Sequence, residues 1–336
     1  MAGPMTTIVL CCRPAAADEW QAAMQAALAA EGVSARLLWR DATRTAVDPA
    51  AEQAAMQAAE QADVALVWKP PGALFDEQRN LRLIFNLGAG VDALLALPNL
   101  PRQVPLVRLE DAGMSEALAE YVLAAVLRVY RGFDRYAAQQ RAGRWQPVPL
   151  RDRSRFNVGV LGLGVIGGVI AQTLARHGFA VRGFARGARQ IDGVQCEAGP
   201  LDPAAPACAR FLDGLDVLVG VLPLTASTRG ALNAALFARL ARGAHLVNVG
   251  RGAHLNEADL LAALDSGQLG GATLDVFTEE PLPAAHRFWS RPEILVTPHV
   301  SAETQIGPSV RQIAAKLAAW LRGHPVSGVV DPLRGY

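Results

Sequence analysis

A glycine turn set between an apolar strand and a helical stretch, Val158-Gly159-Val160-Leu161-Gly162-Leu163-Gly164-Val165-Ile166-Gly167, narrows the choice of fold more than any other part of this chain. Phe156 to Leu161 is a short apolar run suited to a parallel strand covered on both faces. Ile166, Ile170 and Leu174 then recur at helical spacing until Gly178, so the period changes from two to 3.6 at the glycines. Each glycine has its own task. Gly162 permits the tight turn, Gly164 lets the backbone approach a pyrophosphate, and Gly167 lets the helix pack closely on the strand, with the helix N-terminus facing the phosphates. The pattern therefore predicts a dinucleotide site. A membrane span is excluded, because Val158 to Ala171 is shorter than the roughly 18 residues needed and is rich in glycine.

The rest of the chain repeats this alternation. Short apolar runs at Ile8 to Cys12, Ala35 to Trp39, Val64 to Trp68, Leu83 to Phe85 and Leu106 to Val107 are separated by alanine-rich helical segments. They predict a parallel α/β unit ahead of the dinucleotide unit, and the natural task of that first unit is to carry substrate. Beyond the glycine turn, strands are expected at Ala180 to Phe184, Val217 to Leu222, His245 to Val249 and Gly271 to Val276, which continue a doubly wound sheet. Ser115 to Arg131 is expected as a long helix with Ser115 as its cap, bridging the two units, and Pro308 to Leu321 as the last helix. Between them, Arg141 to Pro147 is an irregular arm whose Trp145 suits an interface.

With 336 residues, 51% of them hydrophobic, the chain can bury two cores, and a net charge of +1 offers no general field for nucleic acid or an anionic membrane. Cys11, Cys12, Cys196 and Cys208 show no metal-ligand spacing and a chain this long needs no disulfide frame, which fits a reducing cytoplasm and no metal.

The polar residues at strand ends carry the expected chemistry. After the strand that begins at Ala180, a dinucleotide site for NAD usually has an acid; here Ala185-Arg186-Gly187-Ala188-Arg189 offers two guanidiniums instead, which suit the 2′-phosphate of NADP, with NAD the poorer alternative. Gly250-Arg251-Gly252 places an arginine where it can hold a carboxylate or carbonyl, Glu280 precedes a proline, and His299 follows Pro298. Arg251, Glu280 and His299 together suit reduction of a keto acid: a cation to hold it, an imidazole to give a proton, and a carboxylate that favours the imidazolium. In the first unit, Gly88-Ala89-Gly90-Val91-Asp92 follows a strand directly, so its amides could cradle a small carboxylate, and Trp68-Lys69-Pro70-Pro71 ends another strand with a cation. Taken singly, each of these residues also has an ordinary structural use.

Together, Leu87 to Asp92, Arg108 to Met114, Trp145-Gln146-Pro147, the glycine turn, Gly250-Arg251-Gly252, Leu274 to Phe277, Glu280 to Pro283, Pro298-His299 and Arg334-Gly335-Tyr336 resemble the D-2-hydroxyacid dehydrogenase family over essentially the whole chain. The resemblance implies a flavodoxin-like substrate domain of residues 1–105 and 298–336, a Rossmann cofactor domain of residues 106–297, and an active site in the cleft between them. It implies Arg251, Glu280 and His299 as catalytic residues, and substrate contacts from Trp68, Lys69, Leu87, Gly88, Ala89, Gly90 and Val91, with Trp145 reaching in from the partner subunit of a homodimer. The cofactor set expected on this basis is Gly162, Gly164, Val165, Ile166, Gly167, Ala185, Arg186, Arg189, Leu222, Pro223, Thr228, Val249, Gly250 and Asp275. The arginines in place of the usual acid agree with the branch that reduces glyoxylate and hydroxypyruvate with NADPH. A reductase of a bulkier 2-keto acid of the phenylpyruvate type, or a nucleotide-sensing module of corepressor type, would share most of these features.

Overall fold

The computed structural model describes residues 5–12, 17–42, 61–332 and 334–335; Tyr336 and most of the alanine-rich stretch before Val64 lie outside them. The chain divides into two compact units, Met1–Gly113 with Thr304–Tyr336, and Met114–Glu303.

The first unit is a five-stranded parallel sheet of β1 (Thr6–Cys12), β2 (Ala35–Asp41), β3 (Val64–Val67), β4 (Leu83–Asn86) and β5 (Leu106–Arg108) in the order β2-β1-β3-β4-β5. That is the flavodoxin-like winding. The central strands β3 and β4 are buried at every position, which is why they read as unbroken apolar runs, whereas edge strand β2 is half exposed. The last helix, Ile306–Leu321, packs on the first, Ala17–Ala30, and buries Val310, Ile313, Ala314 and Leu317. Lys316 on that helix pairs with Glu110 at 3.0 Å and Arg82 lies over the Trp320 ring, so the two ends of the chain are stitched into one unit.

The second unit holds β6 (Asn157–Leu161), β7 (Ala180–Ala185), β8 (Val194–Ala198), β9 (Val217–Gly220), β10 (Ala244–Asn248), β11 (Leu269–Leu274) and β12 (Ile294–Val296). All pairings are parallel, in the order β12-β11-β10-β9-β6-β7-β8, which is the Rossmann winding with one further strand. The winding reverses between β6 and β9, so the glycine turn leaves the sheet at the switch point. One core, built on Leu161, Phe211, Leu218, Leu246, Leu260 and Leu274, covers one face of the sheet; the other face is covered by Val122, Val126, Val158, Val160, Ile170 and Val219.

The structure moves several expected limits. β5 pairs with β4, and Arg108 donates to Gly328 O at 2.9 Å, so residues 106–113 belong with the first unit and not with the cofactor unit. Residues 298–303 stay with the second unit because the Asp275 carboxylate holds them there. The long helix is Met114–Tyr130; Ser115 lies inside it and not at its cap, and the whole helix falls in the second unit, where it packs on helix Val165–Arg176. β8 was not expected at all: Val194-Gln195-Cys196-Glu197-Ala198 is a five-residue edge strand whose Val194 and Cys196 pack only partly against the core, so its apolar alternation is short and weak. Among the described residues no helix is long and apolar enough to cross a membrane.

Candidate functional site

At the switch point, Gly162 adopts a φ of +109° and a Cβ there would lie 2.9 Å from Val221 O. A Cβ at Gly167 would lie 1.7 Å from Gly162 O, so the first turn of helix Val165–Arg176 presses directly on the backbone leaving β6. Gly164 differs, because a Cβ there would meet nothing within 4 Å. The glycines at 162 and 167 are demanded by the protein's own packing, whereas Gly164 opens onto free space at a helix N-terminus, as approach of a pyrophosphate requires. Val165 is exposed and Ile166 half-buried beside this opening.

Gly162 N–H donates to Phe184 O at 2.9 Å, which ties the turn to the end of β7. There Ala185 is half-buried and Arg186 and Arg189 are exposed, and no carboxylate stands among residues 185–189. The donor set at this strand end therefore fits a phosphate monoester better than a pair of ribose hydroxyls. On the other side of the switch point, β9 runs into Leu222 and Pro223. The Thr228 hydroxyl donates to Pro223 O at 2.7 Å and accepts from Thr225 N–H at 2.8 Å, so it shapes this turn from within.

The strand-end arginine is built by two residues that sequence reading passed over. Asn248, fully buried at the end of β10, accepts from Gly250 N–H at 3.2 Å and donates to Arg251 O at 3.1 Å. His254, 1% exposed, accepts from Arg251 N–H through Nδ1 at 3.1 Å, so its Nε2 carries the hydrogen facing Pro223 O at 3.3 Å. A single ring thus joins the 250–251 loop to the 222–223 loop, next to Val249. One Arg251 nitrogen donates to Gly250 O at 2.8 Å.

Gly252 links this loop to the carboxylate and the imidazole. A Cβ on it would sit 1.9 Å from the carbonyl carbon of Phe277, so the two segments touch backbone to backbone. Phe277 N–H donates to Glu280 Oε1 at 3.1 Å, and Glu280 accepts from His299 Nδ1 at 2.9 Å through Oε2. A carboxylate can only accept, so the Nδ1 hydrogen is committed to Glu280 and Nε2 is left as the nitrogen that can hold or give a proton. The segments bearing Arg251, Glu280 and His299 are therefore brought together within one unit.

His299 has a φ of +57°, a left-handed conformation that costs a residue with a Cβ energy and must be imposed by its surroundings. Asp275 imposes it. Although expected as a cofactor contact, Asp275 is fully buried: Oδ1 accepts from Thr297 Oγ1 at 2.6 Å and Val300 N–H at 2.9 Å, and Oδ2 from Ser301 N–H at 2.9 Å. Its carbonyl takes His299 N–H at 2.9 Å.

The first unit carries the other candidates. Asn86, buried at the end of β4, donates to both Gly88 O and Gly90 O at 2.9 Å. Across a trans peptide the N–H lies opposite the carbonyl, so the amides of Ala89 and Val91 point away from Asn86, as a carboxylate cradle requires. Leu87 and Val91 are buried, and the Trp68 ring occupies the space a Cβ on Gly88 would need, at 2.2 Å. Lys69 is exposed with a φ of +46°. Asn86 and Asn248 share one signal: each is a polar residue closing an apolar strand just before a glycine loop.

In the second unit, Tyr136 Oη accepts from Val148 N–H at 2.9 Å and Tyr130 Oη donates to Arg151 O at 2.8 Å, so the arm after residue 141 is held down. Trp145 nevertheless stands fully exposed.

Residues 123–301 match the model of the D-isomer specific 2-hydroxyacid dehydrogenase NAD-binding domain. The chain is 49% identical over 280 residues to glyoxylate/hydroxypyruvate reductase A of Serratia proteamaculans, covering 82% of this chain and 88% of that one, and 46% identical over 282 residues to its counterpart in Yersinia enterocolitica, with the same coverage. Among solved structures it is similar to a D-isomer specific 2-hydroxyacid dehydrogenase of Xanthobacter autotrophicus in complex with NADPH and MES (TM-score 0.86, 41% identity, 98% of this chain and 99% of that one). It is also similar to the NADPH-dependent glyoxylate/hydroxypyruvate reductase of Sinorhizobium meliloti with NADP and sulfate (TM-score 0.83, 36% identity, 98% of this chain and 100% of that one).

Proposed function

The chain belongs to the D-isomer specific 2-hydroxyacid dehydrogenases, and we propose that within them it is an NADPH-dependent reductase of short 2-keto acids, converting glyoxylate to glycolate and hydroxypyruvate to D-glycerate. The observation that carries the chemistry is the His299 Nδ1 to Glu280 hydrogen bond of 2.9 Å, which commits one ring nitrogen and leaves the other for proton transfer.

The dinucleotide would be held at Gly164 and the N-terminus of helix Val165–Arg176, with Arg186 and Arg189 for the 2′-phosphate and the loops at 222–223 and 249–250 beside it. When bound, the reduced nicotinamide supplies the hydride that reaches the keto carbon. Arg251 orients the keto acid through its carboxylate and carbonyl oxygen and stabilises the charge that develops on that oxygen. His299 gives the oxygen its proton, so that the product is the 2-hydroxy acid, and Glu280 holds the imidazole in its working orientation. The amides of Ala89 and Val91 are the part of the first unit suited to a carboxylate. The four cysteines are free thiols, in keeping with a cytoplasmic home. We further assign a homodimer, in which the arm bearing Trp145 meets a partner.

The test is a panel of glyoxylate, hydroxypyruvate and phenylpyruvate with NADPH and with NADH, for the wild type and His299→Ala. Turnover of the two short acids, a preference for NADPH of at least about tenfold in kcat/KM, and a loss on the order of 100-fold in kcat in the variant are expected. Better turnover of phenylpyruvate would assign a bulkier substrate, and no turnover at all would favour a nucleotide-binding module.

A further inference from the structure

The His299 loop is anchored by a chain of hydrogen bonds that begins on another element. Tyr121, on helix Met114–Tyr130, has its hydroxyl 2.6 Å from Thr297 Oγ1, which in turn lies 2.6 Å from Asp275 Oδ1. The direction of every hydrogen follows from the acceptor at the end. The Asp275 carboxylate can only accept, so Thr297 spends its single hydrogen on it, and Tyr121 must then donate to Thr297. Burial pushes the Tyr121 hydroxyl above its usual range, in part offset by its bond to Thr297, which keeps it a neutral donor.

This arrangement matters because of where its end lies. Asp275 grips both sides of His299 at once, through Thr297 before it and Val300 and Ser301 after it, and the residue between is the one in a left-handed conformation. A fully buried carboxylate that loses one of its donors shifts toward the remaining two, both of which lie on the far side of His299. Tyr121 is itself fixed, since its helix packs on the glycine-turn helix in the same core.

We propose that Tyr121 is a positioning residue: its hydroxyl, acting through Thr297 and Asp275, sets the orientation in which His299 presents its imidazole. The proposal rests on the reading of His299 as the proton donor. It predicts that Tyr121 acts only through Thr297: in Tyr121→Phe the Thr297 hydroxyl still donates to Asp275 but is no longer held from behind, so the loss is contained in, and no larger than, the loss in Thr297→Val.

The experiment compares Tyr121→Phe, Thr297→Val, Thr297→Ser and the double variant Tyr121→Phe with Thr297→Val. Tyr121→Phe should lower kcat for glyoxylate about tenfold while leaving the KM for NADPH within about twofold, since small misplacements of a reacting group are costly. Thr297→Ser, which keeps the hydroxyl, should retain most of the activity, and the double variant should be no worse than Thr297→Val alone. A wild-type kcat in Tyr121→Phe, or losses that multiply in the double variant, would overturn the proposal. An arm without turnover separates it from the functional reading: the imidazole NMR signals of His299, assigned by their absence in His299→Ala, should shift in Tyr121→Phe. Unmoved signals overturn the positioning role whatever the substrate proves to be; a shift in a protein that reduces no keto acid leaves the positioning role standing and sinks the functional reading.

Discussion

At the scale of the residue, the histidine whose burial ties stability to pH is His245, not His299, the proton donor proposed above. His245 on β10 is nearly fully buried, its Nε2 2.9 Å from the Thr273 hydroxyl, and Gly271 leaves room for its ring, since a Cβ there would lie 2.9 Å from Nδ1. Burial pulls its pKa down from 6.5 to about 4. The unfolded chain therefore binds a proton at His245 between those values while the folded chain does not, so stability should fall as pH drops from about 6.5 toward 4 and fall no further on this account below that. The loss is on the order of 3 kcal/mol. Urea unfolding at pH 7 and pH 5 should show it, and His245→Gln, whose amide can still meet Thr273, should unfold with a flatter pH dependence. An equally steep dependence in the variant would mean that other groups carry the effect.

At the scale of the element, the glycine turn separates folding from binding at two positions three residues apart. Gly167→Ala forces a methyl against Gly162 O, which is backbone and cannot turn aside, so helix Val165–Arg176 must retreat from β6. A loss of about 1–3 kcal/mol is expected, together with weaker NADPH binding. Gly164→Ala meets no protein atom, and its φ of −75° suits any residue, so the melting temperature should stay near that of the wild type while affinity for NADPH, read by fluorescence titration, drops at least about tenfold. If Gly164→Ala binds NADPH normally, the opening at this helix is not where a pyrophosphate lies.

At the scale of the whole molecule, the segment from Phe133 to Leu150 groups several exposed large apolar residues in one ordered stretch. Helix Phe133–Arg141 buries none of its residues, and Phe133, Tyr136, Trp145 and Leu150 are all exposed although the arm itself is held by two tyrosine hydroxyls. This apolar surface on an ordered segment supports the homodimer proposed above, in which a two-fold contact would cover it. Light scattering at micromolar concentration should give twice the mass of the 35.6 kDa chain, and Trp145→Ala should weaken the association. A monomer mass in the wild type would refute the assignment.

The sequence by itself determined the two parallel α/β sheets, the glycine turn and the strand-end residues Arg251, Glu280 and His299, because burial on both faces and turns that need glycine leave local marks in the chain. It could not show the unit boundaries, since β5 is assigned by pairing with β4 and residues 298–303 by the grip of Asp275. Nor could it show the residues that hold the site in shape. Asn86 and Asn248 leave only the faint mark of a polar residue closing an apolar strand, His254 and Tyr121 leave none, and each acts by a hydrogen bond whose partner comes from a separate stretch of chain or a glycine loop. Asp275 was legible as a polar residue following a strand, but only the folded chain reveals that both its oxygens accept from the loop that carries His299. Apolar periodicity is written along the chain, whereas the satisfaction of buried polar atoms is settled across it, and only the tertiary structure brings those atoms within reach.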